Sequence, residues 1–266
     1  MTEATQNTAE NQLHMATERA PLIAIASGKG GVGKTSLTLN LARSLAKAGK
    51  KVLVFDADLG LANIDVQLGL NPERDLSDVI KGKATLMEVI THASDVGVDI
   101  IPGRSGSHEL PFTTSLDRQN ILRDITDLAR SYDVVLLDVA AGAGDEALVF
   151  SRFADRTLLV VTPDPSSITD AYAVIKLLKI RHNCTNCEVV INQASNDVEG
   201  RSTYEKMRMA AERFLKVHVP LAGVVPYDRN YGFAVRTQTL LTDAFPNGAS
   251  TKVIADLAQN LHKKQG

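Results

Sequence analysis

Runs of consecutive apolar residues alternate along the chain with segments in which apolar residues recur every three or four positions. The runs are rich in Val, Ile and Leu, which is typical of strands buried on both faces of a sheet, whereas the longer spacing is typical of helices that cover a sheet. The predicted strands are residues 22–27, 51–56, 98–103, 132–138, 157–162, 187–193 and 221–226. The clearest predicted helices are residues 35–48, 117–131, 167–181 and 203–215.

Strands that alternate with helices predict an α/β fold, because a parallel connection has to cross one face of the sheet and a helix is the usual crossover. We therefore expect a mostly parallel sheet of seven or eight strands with helices on both faces. Residues 21–266 show no shift in composition that would mark a second domain, so we expect one domain there. Residues 1–20 are polar and small, and we expect a flexible N-terminal segment.

The composition argues against several classes of protein. Lys plus Arg number 29 against 31 for Asp plus Glu, and the formal net charge is -2, so no overall positive charge predicts specific binding to nucleic acid. No apolar run approaches the roughly 18 residues of a membrane span, and the N-terminal sequence lacks the apolar region of a secretory signal. A cytoplasmic location is therefore expected.

A phosphate-binding pattern, G-x-x-x-x-G-K-[ST], is present at Gly28–Thr35, between a predicted strand and a predicted helix. Its glycines let backbone N–H groups surround phosphate oxygens, and the helix N-terminus adds a favourable dipole. Lys34 is expected to reach the β- and γ-phosphates of a nucleotide, and the Thr35 hydroxyl is expected to ligate Mg²⁺. The expected architecture is thus the three-layer P-loop NTPase fold. The spacing differs from the G-x-G-x-x-G of dinucleotide-binding folds.

Three aspartates follow predicted strands. Asp138 ends an apolar strand, where a carboxylate beside the loop can hold Mg²⁺ through water, as in a Walker B motif. Asp56 ends the second strand, and Asp58 follows it. Both are expected near a γ-phosphate, where a carboxylate can orient an attacking water. A strand-end aspartate can instead cap the next turn, and a polar loop can carry solvated acids.

The loop sequence SGKGGVGKT contains a second lysine, Lys29, and resembles the deviant Walker A motif of the MinD/ParA superfamily of ATPases. Residues 56–70, 162–178, 199–201 and 223–238 are similar to the flagellar-number regulators of that superfamily, the FlhG/FleN/YlxH subgroup. The resemblance covers about residues 21–264.

The resemblance implies ATP and Mg²⁺ as cofactors and assigns a role to each matching residue. Lys29 would reach across an ATP-bound homodimer to the partner's phosphates, and Asp58 would position or activate the hydrolytic water. Asn63 would belong to the nucleotide switch, and Asp170 to the dimer and partner surface. The residues implied to bind the nucleotide are Gly28, Lys29, Gly30, Gly31, Val32, Gly33, Lys34, Thr35 and Ser36 at the phosphates and Asn192, Pro226 and Asp228 at the adenine, and those implied to lie at the metal are Thr35, Asp56 and Asp138.

The function that the resemblance implies is a slow ATP hydrolase that acts as a dimerising switch and regulates the number or placement of flagella. The implied partners are a flagellar GTPase, a flagellar switch component or a transcription regulator. A MinD-type role in cell division and a ParA-type role in positioning cargo are the alternatives within the superfamily. An iron–sulfur carrier is a further alternative, because such carriers share the two-lysine loop.

Two motifs leave a choice open. In residues 249–266 the side chains of Val253, Ile254, Leu257 and Leu261 share one helical face, which predicts a core helix and, as the alternative, a peripheral anchor at the inner membrane. Cys184 and Cys187 have a spacing that suits a metal site, but a cysteine pair in a helix-to-strand loop is expected to be structural.

Overall fold

In a computed structural model of the chain, residues 19–58, 62–103 and 115–262 are described, so most of the predicted flexible segment lies outside them. The strands in these residues are β1 (Leu22–Ala26), β2 (Val52–Ala57), β3 (Thr91–Ala93), β4 (Val98–Ile101), β5 (Val134–Val139), β6 (Arg156–Val161), β7 (Cys187–Ala194) and β8 (Leu221–Pro226). The α-helices are α1 (Lys34–Lys47), α2 (Ile64–Leu68), α3 (Leu76–Ile80), α4 (Ser115–Leu128), α5 (Asp145–Phe153), α6 (Pro165–His182), α7 (Asp197–Ala210), α8 (Tyr231–Arg236), α9 (Leu241–Ala244) and α10 (Ala249–His262). Short 3₁₀ turns lie at Met87–Val89 and Ala129–Ser131, and a π-helical turn at Ala211–Leu215 continues α7.

The strands form one sheet in the order β3-β4-β2-β5-β1-β6-β7-β8. Neighbouring strands are parallel except for β3, which runs antiparallel to β4 at the edge. The prediction of a mostly parallel sheet is confirmed. β3 was not predicted, because its three residues, Thr91–Ala93, are too few for a hydrophobic pattern to stand out.

Both faces of the sheet are buried, as the continuous apolar runs predicted. Alternate residues of β1 face opposite sides of the sheet. Leu22 and Ala24 pack with α5 and α6, whereas Ile23 and Ile25 pack with α1 and α10. The predicted three-layer α/β architecture is therefore confirmed. One helix begins earlier than predicted, at Asp197 instead of residue 203, because the Asn196 side chain accepts a hydrogen bond from the Glu199 N–H and caps α7.

The last helix, α10, belongs to the core. Ile254, Leu257 and Leu261 are at most 3% exposed and pack with α1 and β8, while Val253 is partly buried beside them. The predicted core helix is thus confirmed, and its apolar stripe is already covered. In the part of the chain that the structure describes, no helix combines the length and the apolar character needed to cross a bilayer.

Candidate functional site

The predicted phosphate loop connects β1 to α1 at the centre of the sheet. β1 lies between β5 and β6, so the strand order reverses direction at this point. In open parallel sheets, ligands bind beyond the carboxyl ends of the strands at such a reversal. The loop therefore lies where the fold itself favours a binding site.

The loop is packed on one side and open on the other. A Cβ atom on Gly28 would lie 2.3 Å from the backbone of Asp170 in α6, and one on Gly33 would lie 2.7 Å from the Asn192 side chain. Cβ atoms on Gly30 and Gly31 would meet no atom within 4 Å. The open side borders a cavity of about 300 Å³, lined by Ser27, Lys29–Ser36, Asp58, Asn63, Gln67 and Ala141.

Asp138 joins the loop lysine to the loop hydroxyl. Its carboxylate is fully buried and accepts hydrogen bonds from Lys34 Nζ at 2.9 Å and from Thr35 Oγ1 at 2.6 Å. Thr38 Oγ1 donates a third bond at 3.0 Å. The structure therefore brings together Lys34, Thr35 and Asp138, three of the residues that the sequence analysis placed at the phosphates and the metal. Thr38 was missed, although its position one helical turn after Lys34 was a usable signal.

Asp56 lies beside Asp138 and faces a different segment. The two aspartates are partners in the register of β2 and β5. Asp56 is 1% exposed, and its oxygens accept hydrogen bonds from the backbone N–H groups of Asp58, Asn63 and Ile64 at 3.2, 3.2 and 3.3 Å. Burial, and after it the charge of Asp138, raise the pKa of Asp56 to about 7.

Asp58 and Asn63 line the loop cavity. Their predicted roles, as the water-positioning group and as a switch residue, stay predictions. Gln67 of α2 joins them, because its Oε1 accepts a hydrogen bond from Ser36 Oγ at 3.1 Å and its Nε2 donates to Asn63 Oδ1 at 3.3 Å. Gln67 was not predicted. The bond from Ser36 links the start of α1 directly to α2, and the bond to Asn63 lies within α2 and its N-cap.

Lys29 points away from Lys34, toward the end of β6. Its Nζ donates to Asp164 Oδ2 at 2.8 Å and to Ser166 Oγ at 2.6 Å, and its side chain is 41% exposed. Asp164 also caps α6, and the hydrogen bond from Lys29 is the main reason that its pKa is lowered. The contact lies within one chain, and the cross-subunit role of Lys29 stays a prediction.

A second cavity, of about 550 Å³, continues from the loop across the ends of β6 and β7 to Tyr227. Beside it, Asn192 is buried, and its Nδ2 donates to the Val32 carbonyl at 2.8 Å. Among the described residues, no donor reaches Asn192 Oδ1. The next residue, Gln193, has a φ of 59°, so β7 bends here and pairs irregularly with β8.

Pro226 and Asp228, the other two predicted adenine residues, lie at the end of β8. Pro226 pairs with Ala194 of β7, which brings it near Asn192 in the sheet. The Asp228 carboxylate accepts a hydrogen bond from the Asn230 N–H at 2.9 Å and so orders the turn into α8. The adenine role of these residues stays a prediction.

The cysteine pair lies at the other end of the sheet, where β7 begins. Cys187 is buried, and burial raises the pKa of its thiol to about 12, while Cys184 Sγ donates to Asn186 Oδ1. Within the described ranges, no group of three or more His, Cys, Asp or Glu side chains could hold a metal ion. These observations favour the structural interpretation of the pair.

The site has a glycine-rich loop between a central strand and a helix. The lysine and the hydroxyl of this loop both bind a strand-end aspartate. Together these features define a P-loop nucleotide-binding domain. Residues 23–241 match the model of the CobQ/CobB/MinD/ParA nucleotide binding domain. The chain belongs to this family and is a P-loop ATPase of the MinD/ParA type.

Relatives of this chain match it over nearly its whole length. The antiactivator FleN of Pseudomonas aeruginosa is 41% identical over 240 residues, which are 90% of this chain and 85% of FleN. The flagellum site-determining protein YlxH of Helicobacter pylori is 36% identical over 243 residues, 91% of this chain and 82% of YlxH.

Solved structures give the same fold. The cell division ATPase MinD of Pyrococcus furiosus has a TM-score of 0.76 at 27% identity and covers 91% of this chain and 98% of its own. MinD of Pyrococcus horikoshii, which was crystallised with Mg-ADP, has a TM-score of 0.76 at 26% identity and covers 92% of this chain and 96% of its own.

Proposed function

We propose that the chain binds ATP with Mg²⁺ and hydrolyses it slowly. The observation that carries this proposal is the cluster of Lys34, Thr35 and Asp138 at the open side of the loop. Lys34 can serve the phosphates as a point charge, because its ammonium already lies at the start of α1, where backbone N–H groups and the helix dipole favour anions. When bound, Mg²⁺ would neutralise developing phosphate charge.

The donor set fits Mg²⁺. This ion usually takes only one or two carboxylates from a protein, together with phosphate oxygens and water. The Thr35 hydroxyl and the Asp138 carboxylate, which are 2.6 Å apart, provide such a set. Asp58, which lines the same cavity, would then orient the attacking water.

Asn192 supports adenine as the base. Its amide is fixed in one orientation, because Nδ2 donates to the Val32 carbonyl and a flip would place two oxygens together. Oδ1 is left as a buried acceptor that requires a donor. The exocyclic amino group of adenine is a donor, whereas the keto group of guanine at the same position is not. We place Pro226 and Asp228 beside the adenine as well.

The cellular role that we propose is regulation of the number or placement of flagella by an ATP-dependent homodimer. The basis is the similarity to FleN and YlxH across most of their lengths, together with the second lysine of the loop. ATP would form the dimer and hydrolysis would dissolve it. A flagellar GTPase, a flagellar switch component or a transcription regulator would read the dimeric state.

ATP binding is tested with Lys34→Ala and with Lys47→Ala as the matched control in the same helix. Lys47 pairs with Asp243 at the far end of α1, so its loss should leave ATP affinity unchanged. Lys34→Ala should lower affinity at least about 10-fold, because a charge-assisted phosphate contact is lost. Equal affinity in the two variants would refute the assignment.

In a deletion strain, altered flagellar counts with normal midcell division would support the flagellar role, and the reverse would favour a division role.

A further inference from the structure

We propose that Asp56 is a positioning residue that anchors the segment carrying Asp58 and Asn63, and that it does not bind the metal itself. The effect on hydrolysis rests on the proposed ATPase function. The anchoring itself concerns the contacts of the chain alone.

In its hydrogen bonds to the described residues, Asp56 accepts only from the backbone of this segment. The Asp58 N–H donates to Oδ1 at 3.2 Å, and the N–H groups of Asn63 and Ile64 donate to Oδ2 at 3.2 and 3.3 Å. One carboxylate thus binds backbone N–H groups both just after β2 and at the start of α2. The backbone of the water-positioning residue Asp58 is one of its three contacts.

Asp56 also caps α2. The first N–H groups of a helix have no partner within the helix and usually bind the side chain of the N-cap residue. Here the N-cap residue is Asn63, and among the described residues its side chain forms no capping bond. The carboxyl group of Asp56 takes this role from the neighbouring strand, because its oxygens accept hydrogen bonds from the N–H groups of Asn63 and Ile64.

The two adjacent aspartates divide the contacts between them. Asp138 receives the side chains of Lys34, Thr35 and Thr38 from the loop and α1. Asp56 receives only backbone groups in its hydrogen bonds to the described residues, and it lies behind the cavity that Asp58 and Asn63 line. Three of the roughly four acceptor positions of the carboxylate are therefore already used, and metal ligation by Asp56 would have to compete with these bonds.

Close packing keeps Asp56 in place. A Cβ atom on Gly103 would lie 3.3 Å from the Asp56 carboxyl carbon and 2.6 Å from the Ala62 side chain. Glycine at residue 103 therefore allows the backbone there to pack directly against Asp56 and Ala62. The result is a buried anchor behind the reacting groups.

The test compares Asp56→Asn and Asp56→Ala with Asp58→Asn as the matched control. Asp58→Asn makes the same chemical change in the same segment but leaves the three backbone bonds to Asp56 intact. Hydrogen exchange of the amides of Asp58, Asn63 and Ile64 is measured in nucleotide-free protein. The turnover number and the Mg²⁺ concentration for half-maximal activity are then measured with ATP.

We expect these amides to exchange at least about 10-fold faster in Asp56→Ala and to be unchanged in Asp58→Asn. Both Asp56 variants should turn over more slowly, with the half-maximal Mg²⁺ concentration within about 2-fold of wild type. Wild-type exchange in both Asp56 variants would overturn the proposal, as would a Mg²⁺ requirement raised about 10-fold or more. Asp56→Asn is nearly isosteric and decides the result if Asp56→Ala does not fold. The exchange measurement needs no nucleotide, so it separates failure of the anchor from failure of the ATPase assignment.

Discussion

The buried ion pair at the loop predicts a large loss of stability when Asp138 is removed. Asp138→Ala deletes the acceptor of three hydrogen bonds, from Lys34, Thr35 and Thr38. The side chains of Lys34 and Asp138 are 7% and 1% exposed, so the variant leaves a buried ammonium without its counter-ion. Removal of one partner from a buried pair costs about 3–5 kcal/mol.

Asp56 should reduce this loss. Asp138 is one of the causes that raise the pKa of Asp56, after burial itself. Without Asp138, Asp56 can ionise more easily and can partly balance the charge of Lys34. Lys34 is close enough to Asp56 to lower the pKa of Asp56. We therefore expect a loss in the free energy of unfolding near the lower end of the range, about 3 kcal/mol.

Denaturant-induced unfolding of nucleotide-free protein measures this loss. The control is Arg201→Ala, because Arg201 forms a solvent-exposed pair with Asp197 one turn away on α7. That pair should contribute less than about 0.5 kcal/mol. If Asp138→Ala loses no more stability than Arg201→Ala, the assignment of a buried, charged pair at the loop is wrong.

The remaining predictions concern assembly, membranes and pH. In light scattering, the Asp58→Ala variant should be dimeric with ATP and monomeric with ADP. The Lys29→Ala/Asp58→Ala double variant should bind ATP and stay monomeric. Dimerisation of the double variant with ATP would refute the cross-subunit role of Lys29. The ATP-bound protein should co-sediment weakly with anionic liposomes, because the stripe of α10 is buried, and strong ATP-dependent binding would contradict this. Folding raises the pKa of Asp56 from 3.8 to about 7, so its proton is held more tightly in the folded state and the free energy of unfolding falls as the pH rises between these values. Asp56→Asn lacks this penalty, so its stability relative to wild type should increase over that range, and a constant difference would refute the pKa shift.

The loop and its strands could be predicted because their signals are local. A glycine pattern between an apolar run and an amphipathic segment is complete within about 25 residues, and the strand and the helix predicted on either side of it, β1 and α1, are confirmed. The same holds for α10, whose apolar stripe predicted its burial.

The contacts that were missed depend on the register of distant segments. Lys29 meets Asp164 across 135 residues, and only because α6 begins beside the loop. The backbone bonds of Asp56 depend on how the turn after β2 closes, which a side-chain pattern does not encode. The orientation of the Asn192 amide depends on its hydrogen bond to the Val32 carbonyl, 160 residues away in the sequence.

The opposite directions of the two loop lysines make them respond differently to ionic strength. The ions of a salt solution reach exposed charges and weaken their interactions beyond a screening length of about 8 Å at 0.15 M, but they affect buried pairs much less. Lys34 is bound to Asp138 in the interior, whereas Lys29 and Asp164 are 41% and 48% exposed. Added salt should therefore weaken the contact of Lys29 with Asp164 more than that of Lys34 with Asp138. A single loop thus contains one cation whose environment is fixed by the fold and one that the surrounding solution can adjust.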